Sequence, residues 1–263
     1  MVYALIGDVH GNLRALEAVL EDINKRGIKN IISVGDVVGL GPHPSECLDL
    51  IIKNNIRMIA GNAEEYIKFG ADAFFYLKNP QARYDNAVWT KSQLRKDQLE
   101  FINSLPHSIE INEFGHNIGI CHFPIDVRYD YDGVWKYEGK HPRVFNKTNT
   151  RKDKRFKIDN ALSRNANEDP LFGGKKLSSF DVLIYGHYHF YREHKLFRRK
   201  LISLNGTGVG IHKCATYQLM IIKKNYFYTN TRYIPYDYES EIEEAKRINQ
   251  PNLETYIKYI TCE

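Results

Sequence analysis

Seven polar residues of types that bind metal ions are spread along the chain, each close to the end of a short apolar run. They are Asp8, His10, Asp36, Asn62, His122, His187 and His189. Aspartate, asparagine and histidine, with no cysteine among them, form a ligand set suited to hard and borderline divalent cations. Two such cations held close together catalyse phosphoryl transfer. The pattern therefore predicts a two-metal site, provided that the fold gathers these distant residues.

Each motif alone has an ordinary structural explanation. Asp36 could cap a following helix, and the pair Gly61 and Asn62 favours a turn. A lone histidine at a strand end is more often structural. The pair His187 and His189 is more specific, because alternation can send both imidazoles to one side. Five such motifs in order are improbable as a coincidence, so we interpret them as one site.

Strands and helices alternate in the first part of the chain. The segments are strands at 2–7, 30–35 and 56–60 and helices at 12–26 and 44–54. This alternation predicts βαβ units in a largely parallel sheet, with the motif residues just past the carboxyl ends of the strands. In the second helix, the spacing predicts that Leu48, Ile51 and Ile52 face the core.

The later part of the chain has a different pattern. Residues 64–104 are predicted to be helical with an interruption at Pro80, and shorter strands follow from residue 108. Residues 190–204 and 215–233 are predicted as antiparallel hairpins, and 239–260 as two helices. We therefore expect an α/β fold, a four-layer α/β/β/α sandwich of two mixed sheets flanked by helices.

Size and composition limit the classes of protein to consider. The chain of 263 residues can bury a sizeable core, and motifs between residues 8 and 189 favour a single domain. The net charge of +5 does not by itself indicate nucleic-acid binding. We see neither a signal peptide nor an apolar run long enough to span a membrane. The four cysteines share no CxxC spacing, so we expect reduced thiols and a cytoplasmic location.

Residues 126–178 are basic and aromatic and have little apolar periodicity. We interpret them as an insertion over the active edge of the sheet. Its aromatic residues could stack a nucleobase while its cations bind a polyphosphate, or they could simply pack the insertion onto the body. The residues concerned are Tyr129, Tyr131, Trp135 and Tyr137, with Arg128, Lys136 and Lys140.

The motifs GDVHGN, GDVVG, GNAE, the lone His122 and GHYH resemble the five blocks of the calcineurin-like metallophosphoesterase superfamily. The resemblance covers most of the chain. In particular, the chain resembles the branch of small YfcE-type phosphodiesterases, some of which are asymmetrical diadenosine tetraphosphate hydrolases. This resemblance implies a metallophosphoesterase fold and a hydrolase that acts on phosphoric ester bonds.

The resemblance also implies two sets of metal ligands. One ion would be bound by Asp8, His10, Asp36 and His189. The other would be bound by Asp36, Asn62, His122 and His187. Asp36 would thus bridge two divalent or trivalent ions, which in the family are usually manganese or iron and sometimes zinc, nickel or cobalt. The ligand types do not distinguish among these metals.

The implied reaction is attack on phosphorus by a hydroxide that bridges the two metals. Asp36, Asn62 and His122 would be the catalytic residues, the last two binding both metal and phosphate. Asn12 and Glu64 are further candidates for contact with the substrate.

One departure from the family pattern concerns the leaving group. Many members have, directly after the asparagine, a histidine that helps to protonate the leaving oxygen, whereas this chain has Ala63. Because alanine cannot transfer a proton, a contribution of about 10²–10⁴-fold is lost. We predict a preference for activated diesters and phosphoanhydrides over alkyl monoesters. A second departure is the sequence Asn-Gly-Thr-Gly at 205–208, where relatives usually have Asn-Pro-Gly-Ser.

Other functions remain compatible with the sequence. A protein serine/threonine phosphatase would normally keep the histidine that Ala63 replaces, and a nuclease of this superfamily would normally carry a DNA-capping domain. A non-catalytic interaction scaffold would be free to lose ligands, so the complete set argues against it. The expected partner is a phosphorylated small molecule or nucleotide, with no membrane and no stable nucleic-acid complex; the oligomeric state is not determined by the sequence.

Overall fold

The computed structural model describes most of the chain outside the region of the expected insertion. The described residues are 1–70, 80–122, 171–172, 175–176, 179–196 and 199–262. The residues of 126–178 that were considered for nucleobase stacking lie outside these ranges.

The described residues form both strands and helices, labelled β and α in chain order. The strands are β1 (Val2–Ile6), β2 (Asn30–Ser33), β3 (Arg57–Met58), β4 (Ser108–Glu113), β5 (His116–Cys121), β6 (Leu171–Phe172), β7 (Lys175–Lys176), β8 (Val182–Tyr185), β9 (Arg192–Leu196), β10 (Arg199–Ser203), β11 (Cys214–Lys223) and β12 (Tyr226–Pro235). The helices are α1 (Leu13–Lys25), α2 (Pro44–Lys53), α3 (Asn62–Phe69), α4 (Pro80–Ser92), α5 (Lys96–Ser104), α6 (Tyr238–Ile248) and α7 (Leu253–Thr261).

The described strands form two five-stranded sheets, and β6 and β7 pair separately. The first sheet has the order β12-β11-β1-β2-β3, with parallel pairing among β1, β2 and β3. The second sheet has the order β4-β5-β8-β10-β9, with β5, β8 and β10 parallel. Both sheets also contain antiparallel pairings, so both are mixed.

Side-chain alternation along β1 explains how the layers pack. Tyr3 and Leu5 lie in an apolar cluster that joins the two sheets, together with residues such as Ile120 and Ile184 of the second sheet. Ala4 and Ile6 point the other way, into a cluster with the buried faces of α1 and α2. The two mixed sheets flanked by helices confirm the predicted sandwich. None of the described helices has the length and apolarity needed to cross a membrane.

One sequence prediction for α2 was wrong. Ile52 is 41% exposed, whereas Leu48 and Ile51 are fully buried. Each helical residue turns by about 100°, so Ile52 cannot share the face of Ile51. Cys47, one turn before Ile51, occupies the buried face instead.

Parallel pairing brings the ends of distant strands to one edge of each sheet. β1 pairs with β2 through Ile6 and Ser33, and β2 pairs with β3 through Ser33 and Met58. In the second sheet, the last residues of β5 and β8 are also partners. The motif residues that follow these strands therefore emerge at the carboxyl ends, where ligands bind in such sheets.

Candidate metal centre

The first group of potential ligands consists of Asp8, His10 and His189, whose ligand atoms all lie within 4.8 Å of one another. Nε2 of His189 is 2.9 Å from Oδ2 of Asp8. Nε2 of His10 is 3.1 Å from Nε2 of His189. Residues far apart in the chain thus converge, as the sequence predicted.

The second group consists of Asp36, His122 and His187, again with ligand atoms within 4.8 Å of one another. Oδ1 of Asn62 joins it, at 2.8 Å from Nδ1 of His187 and 3.0 Å from Nε2 of His122. In the opposite amide orientation, the nitrogen of Asn62 would donate to the same two imidazoles. The carbonyl orientation suits a bound cation, because it directs three electron-pair donors to one point.

Asp36 belongs to the second group and also lies close to the first. Its Oδ2 atom is 3.6 Å from Nε2 of His10, in the first group, and 3.3 Å from Nε2 of His122, in the second. Its Oδ1 atom accepts a hydrogen bond of 2.7 Å from the backbone N–H of Ala63. One carboxylate oxygen is therefore anchored, while the other faces both groups.

The ligand-bearing loops have an unusual backbone. His10, Asp36, His187 and His189 all have positive φ angles, between 53° and 71°. This left-handed region is uncommon for residues other than glycine, and such strain concentrates at functional sites. The tight turns direct the side chains back over the strand ends.

Close packing explains a glycine of the last motif. A Cβ atom on Gly186 would lie 2.6 Å from Oδ1 of Asp8, so a side chain there would displace the carboxylate. The neighbouring N–H of His187 donates to Asp8, at 2.9 Å to Oδ2. The backbone after β8 thereby fixes a side chain from the loop after β1.

Glu64 has a role that the sequence analysis did not foresee. It is 1% exposed, and its carboxylate accepts hydrogen bonds from four backbone N–H groups. The donors are Asp36 and Gly61 to Oε2, both at 2.8 Å, and Val37 and Val38 to Oε1, at 2.9 and 3.2 Å. Glu64 was expected to contact the substrate, but its carboxylate instead binds these backbone N–H groups and fixes the loop of Asp36.

Asn12 also differs from the expected substrate contact. It is fully buried, and its Oδ1 atom caps α1 by accepting from the N–H of Ala15 at 3.1 Å. Its Nδ2 group donates to the carbonyl of Gly208 at 2.8 Å and to the hydroxyl of Tyr236 at 3.0 Å. The amide of Asn12 is fully used inside the protein.

The loop at 205–208 supports the first ligand loop. The hydroxyl of Thr207 accepts from the N–H of Gly7 at 3.0 Å and donates to the carbonyl of Thr216 at 2.7 Å. The N–H of Gly208 donates to the carbonyl of Asp8 at 3.0 Å. Hydrogen bonds through Thr207 thus fix this loop.

Aromatic rings surround the last pair of histidines. The ring of Tyr188 lies 5.1 Å from that of His187, and Tyr259 of α7 lies edge-on to His189 at 5.3 Å. No local sequence pattern indicated Tyr259, because its position depends on the docking of the last helix.

The protonation states favour metal binding. Burial, only partly opposed by the Asp36 carboxylate, lowers the pKa of His10 to about 4. Burial and then the charge on His122 lower the pKa of His187 to about 3. Both imidazoles are therefore neutral near pH 7, the state in which histidine binds metals.

His122 is protonated beside a carboxylate when no cation is bound. Burial would lower the pKa of His122, but the Asp36 carboxylate outweighs it and raises the pKa to about 10. Burial likewise opposes the charge on Asp36, yet the neighbouring His122 holds the pKa of Asp36 below its ordinary value. A cation at this position would take the place of the His122 proton, so binding would release it.

The donor set fits a pair of cations. Nδ1 of His122 lies 2.8 Å from the carbonyl of Val34, and Nδ1 of His10 lies 3.4 Å from that of Val38. These carbonyls accept from Nδ1 and so leave each Nε2 electron pair facing the site, as is usual for metal-binding histidines. The seven predicted ligands therefore lie together in the structure.

The two mixed sheets flanked by helices are the fold of the metallophosphoesterases. The chain belongs to the calcineurin-like phosphoesterase family, whose model matches residues 1–191. The predicted superfamily is thereby confirmed. Its members use divalent metal ions, and the two ligand groups of this chain are candidates for binding them.

One relative aligns with part of the chain. An uncharacterized protein from Methanocaldococcus jannaschii is 37% identical over 134 residues, which are 51% of this chain and 52% of that protein. The chain thus aligns with about half the length of this curated relative.

Two solved structures share the fold over nearly the whole chain. A hypothetical protein from Pyrococcus horikoshii has a TM-score of 0.71 at 16% identity, covering 98% of both chains. A metallophosphoesterase from Sphaerobacter thermophilus has a TM-score of 0.62 at 22% identity, covering 98% of this chain and 97% of that one. At these identities, the likeness concerns the fold alone.

The bonding of Glu64 leads to a first prediction. In Glu64→Gln, an amide NH₂ replaces one carboxylate oxygen, so two of the four backbone N–H groups lose their acceptor. We expect metal affinity to fall by about 10–100-fold, as for other residues that orient ligands, and the melting temperature to fall as well. Isothermal titration with Mn²⁺ and thermal unfolding would measure both.

Glu46→Gln is a matched control, because the Glu46 side chain is 55% exposed on α2. It should leave both quantities unchanged. Unaltered metal affinity in Glu64→Gln would show that the loop of Asp36 does not depend on the Glu64 carboxylate.

Proposed function

We propose that the protein is a dinuclear-metal phosphoesterase that hydrolyses phosphodiester or phosphoanhydride bonds. The observation that carries this proposal is the position of Asp36, whose Oδ2 atom faces His10 on one side and His122 on the other. A carboxylate in this position can be shared by two neighbouring cations, the arrangement of a two-metal hydrolytic site.

The residues that would hold the first ion are Asp8, His10, Asp36 and His189. Those that would hold the second are Asp36, Asn62, His122 and His187. Manganese and iron are the metals we favour for these sets, although nitrogen and oxygen ligands also suit zinc, nickel or cobalt. When bound, such a pair supplies a water acidic enough to attack phosphorus at neutral pH and neutralises charge on the phosphoryl oxygens.

Three side chains would act directly at the metal ions and the phosphate. Asp36 keeps its charge, and its Oδ1 atom is fixed by the N–H of Ala63. His122 is held by the carbonyl of Val34, which fixes the direction of its ring. Asn62 begins α3 beside both imidazoles of the second group, where it could orient a phosphoryl oxygen.

The substrate class follows from Ala63. In the position where many relatives have a proton donor, this chain has a methyl group. A leaving group that needs a proton, such as an alkoxide, is therefore disfavoured, whereas a phenolate or a nucleotide phosphate leaves without one. We propose phosphorylated small molecules or nucleotides as substrates, with diesters and anhydrides preferred.

The alternatives are less well supported. A serine/threonine phosphatase-like phosphomonoesterase would release a serine or threonine alkoxide, for which Ala63 offers no proton. A non-catalytic scaffold would have no need to keep two carboxylates and four imidazoles together at one buried site. Buried charges are costly unless they are paired or bind a metal ion. The ordered ligand geometry favours the enzyme.

Removal and return of metal tests this function directly. Protein stripped with a chelator should lose hydrolysis of a bis-aryl phosphate diester, and added Mn²⁺ should restore it as about two ions bind per chain. Elemental analysis and a colorimetric assay would follow the two quantities on one sample. A fully loaded protein that hydrolyses neither aryl diesters nor aryl monoesters would contradict the proposal and favour the scaffold.

A further inference from the structure

The outermost strand of the first sheet, β12, has features of a pairing surface. It is 10 residues long, and within the described ranges it pairs with β11 alone. Strands of this length are longer than most, and an edge strand presents a row of unpaired backbone groups.

The usual protections of an edge strand are missing from the sequence of β12. Arg232 is the only charged residue in β12, and its only proline, Pro235, is the last residue. Three tyrosines are exposed: Tyr226 by 49%, Tyr228 by 39% and Tyr233 by 56%. Lysines, internal prolines and short length normally prevent edge-to-edge association, so this strand is open to it.

The register shows which backbone groups face outward. Ile222 of β11 exchanges hydrogen bonds with Met1, so its backbone groups face β1 and not β12. Ile222 is the partner of Phe227. In an antiparallel ladder these pairs alternate, so Phe227, Thr229, Thr231 and Tyr233 turn their backbone groups to the edge that no described strand covers. The N–H of Thr231 also lies 3.3 Å from a terminal atom of the Gln218 side-chain amide.

The sequence of β12 is complementary to itself about Asn230. In an antiparallel pair of two β12 strands centred there, Thr229 would face Thr231 and Phe227 would face Tyr233. On the other face, Tyr228 would lie opposite Arg232, which allows a cation–π contact at each end. Aromatic pairs, threonine pairs and cation–π pairs all stabilise antiparallel strands.

We propose that β12 pairs with β12 of a second copy of this chain across a two-fold axis at Asn230, joining the two first sheets into one continuous sheet. The strand offers no charge pattern for a strongly acidic or basic partner, whereas Tyr228, Tyr233 and Arg232 each find a counterpart in its own sequence. A two-fold interface requires such self-complementarity. This inference does not depend on the proposed catalysis.

Substitution at the axis tests the pairing. Asn230 is exposed, and its Nδ2 group donates a hydrogen bond of 2.8 Å to the hydroxyl of Tyr228. In Asn230→Lys, two introduced ammonium groups would face each other across the axis, as would two carboxylates in Asn230→Glu. Like charges directly opposite destabilise paired strands.

We expect sedimentation of the wild-type protein to give a molecular mass twice the 30.7 kDa of one chain. Each single variant should dissociate at least tenfold more readily, and an equimolar mixture of the two variants should reassociate as a heterodimer. Ile52→Lys, at an exposed apolar site on α2, adds the same charge elsewhere and should leave the dimer intact. Analytical ultracentrifugation over a dilution series measures the wild type, the variants and the mixture.

A monomeric wild-type protein would overturn the proposal. So would an Asn230→Lys variant that dimerises as well as the wild type, because the interface would then lie elsewhere. Variants that dissociate singly but fail to reassociate on mixing would overturn the axis at Asn230. Circular dichroism of each variant confirms that the fold is retained.

Discussion

Replacing Asp36 by asparagine is expected to lower kcat/KM by at least about 10³-fold, because the pair of ions supplies several kcal/mol of transition-state stabilisation. The amide keeps an oxygen that can accept from the N–H of Ala63, so the loop should hold its shape. It loses the negative charge that faces His10 and His122. Metal content should therefore fall from about two ions per chain to one or fewer.

Elemental analysis and kinetics on the same preparation would check this result. Asp97→Asn is the matched control, since the Asp97 side chain is 66% exposed on α5. It should retain full activity and metal content. An Asp36→Asn variant that keeps two ions and wild-type turnover would exclude a bridging role for this carboxylate.

Replacing Ala63 by histidine should change the substrate preference rather than the overall rate. A proton donor beside Asn62 would assist departure of basic leaving groups, with gains of up to about 10²–10⁴-fold. Aryl and nucleotide leaving groups need no proton and should gain little. A series of diesters with leaving groups of increasing pKa would be assayed with Mn²⁺. The rate of hydrolysis should fall steeply with leaving-group pKa in the wild type and only slightly in the variant.

Ala63→Phe is the appropriate control, because it adds a ring that cannot transfer a proton. In Ala63→Phe, the rate should depend on the pKa of the leaving group as steeply as in the wild type. If Ala63→His raised the rates on all substrates equally, the loss of a general acid would not explain the substrate preference.

Much of the site was predictable from the sequence because the signals are local. Short apolar runs that alternate with helical periods imply parallel strands, and parallel strands end at one edge. The ligand residues follow those runs closely, as Asp8 follows β1 and Asp36 follows β2. Within the first sheet the alternation is enough to bring these residues together. The grouping of His122, His187 and His189 with them, across the two sheets, was instead implied by the family resemblance.

The remaining features depend on contacts between distant residues. Glu64 and Asn12 are polar residues beside the motifs, so they were expected to contact the substrate, yet both are used by backbone groups within the protein. The third position of α3, which Glu64 occupies, is a local signal for its bond to the N–H of Gly61. The other three N–H groups belong to the distant loop of Asp36, which no local pattern connects with Glu64. Tyr259 reaches His189 only because α7 docks beside the last histidine loop.

In the proposed site, one carboxylate is shared by two bound cations. Anomalous diffraction from crystals grown with Mn²⁺ tests it most directly, because each ion appears as its own peak. We predict two peaks about 3.5–4 Å apart, both in contact with Asp36, one also with Asp8 and the other with Asn62. A single peak, or two peaks of which only one contacts Asp36, would exclude a carboxylate shared by two ions.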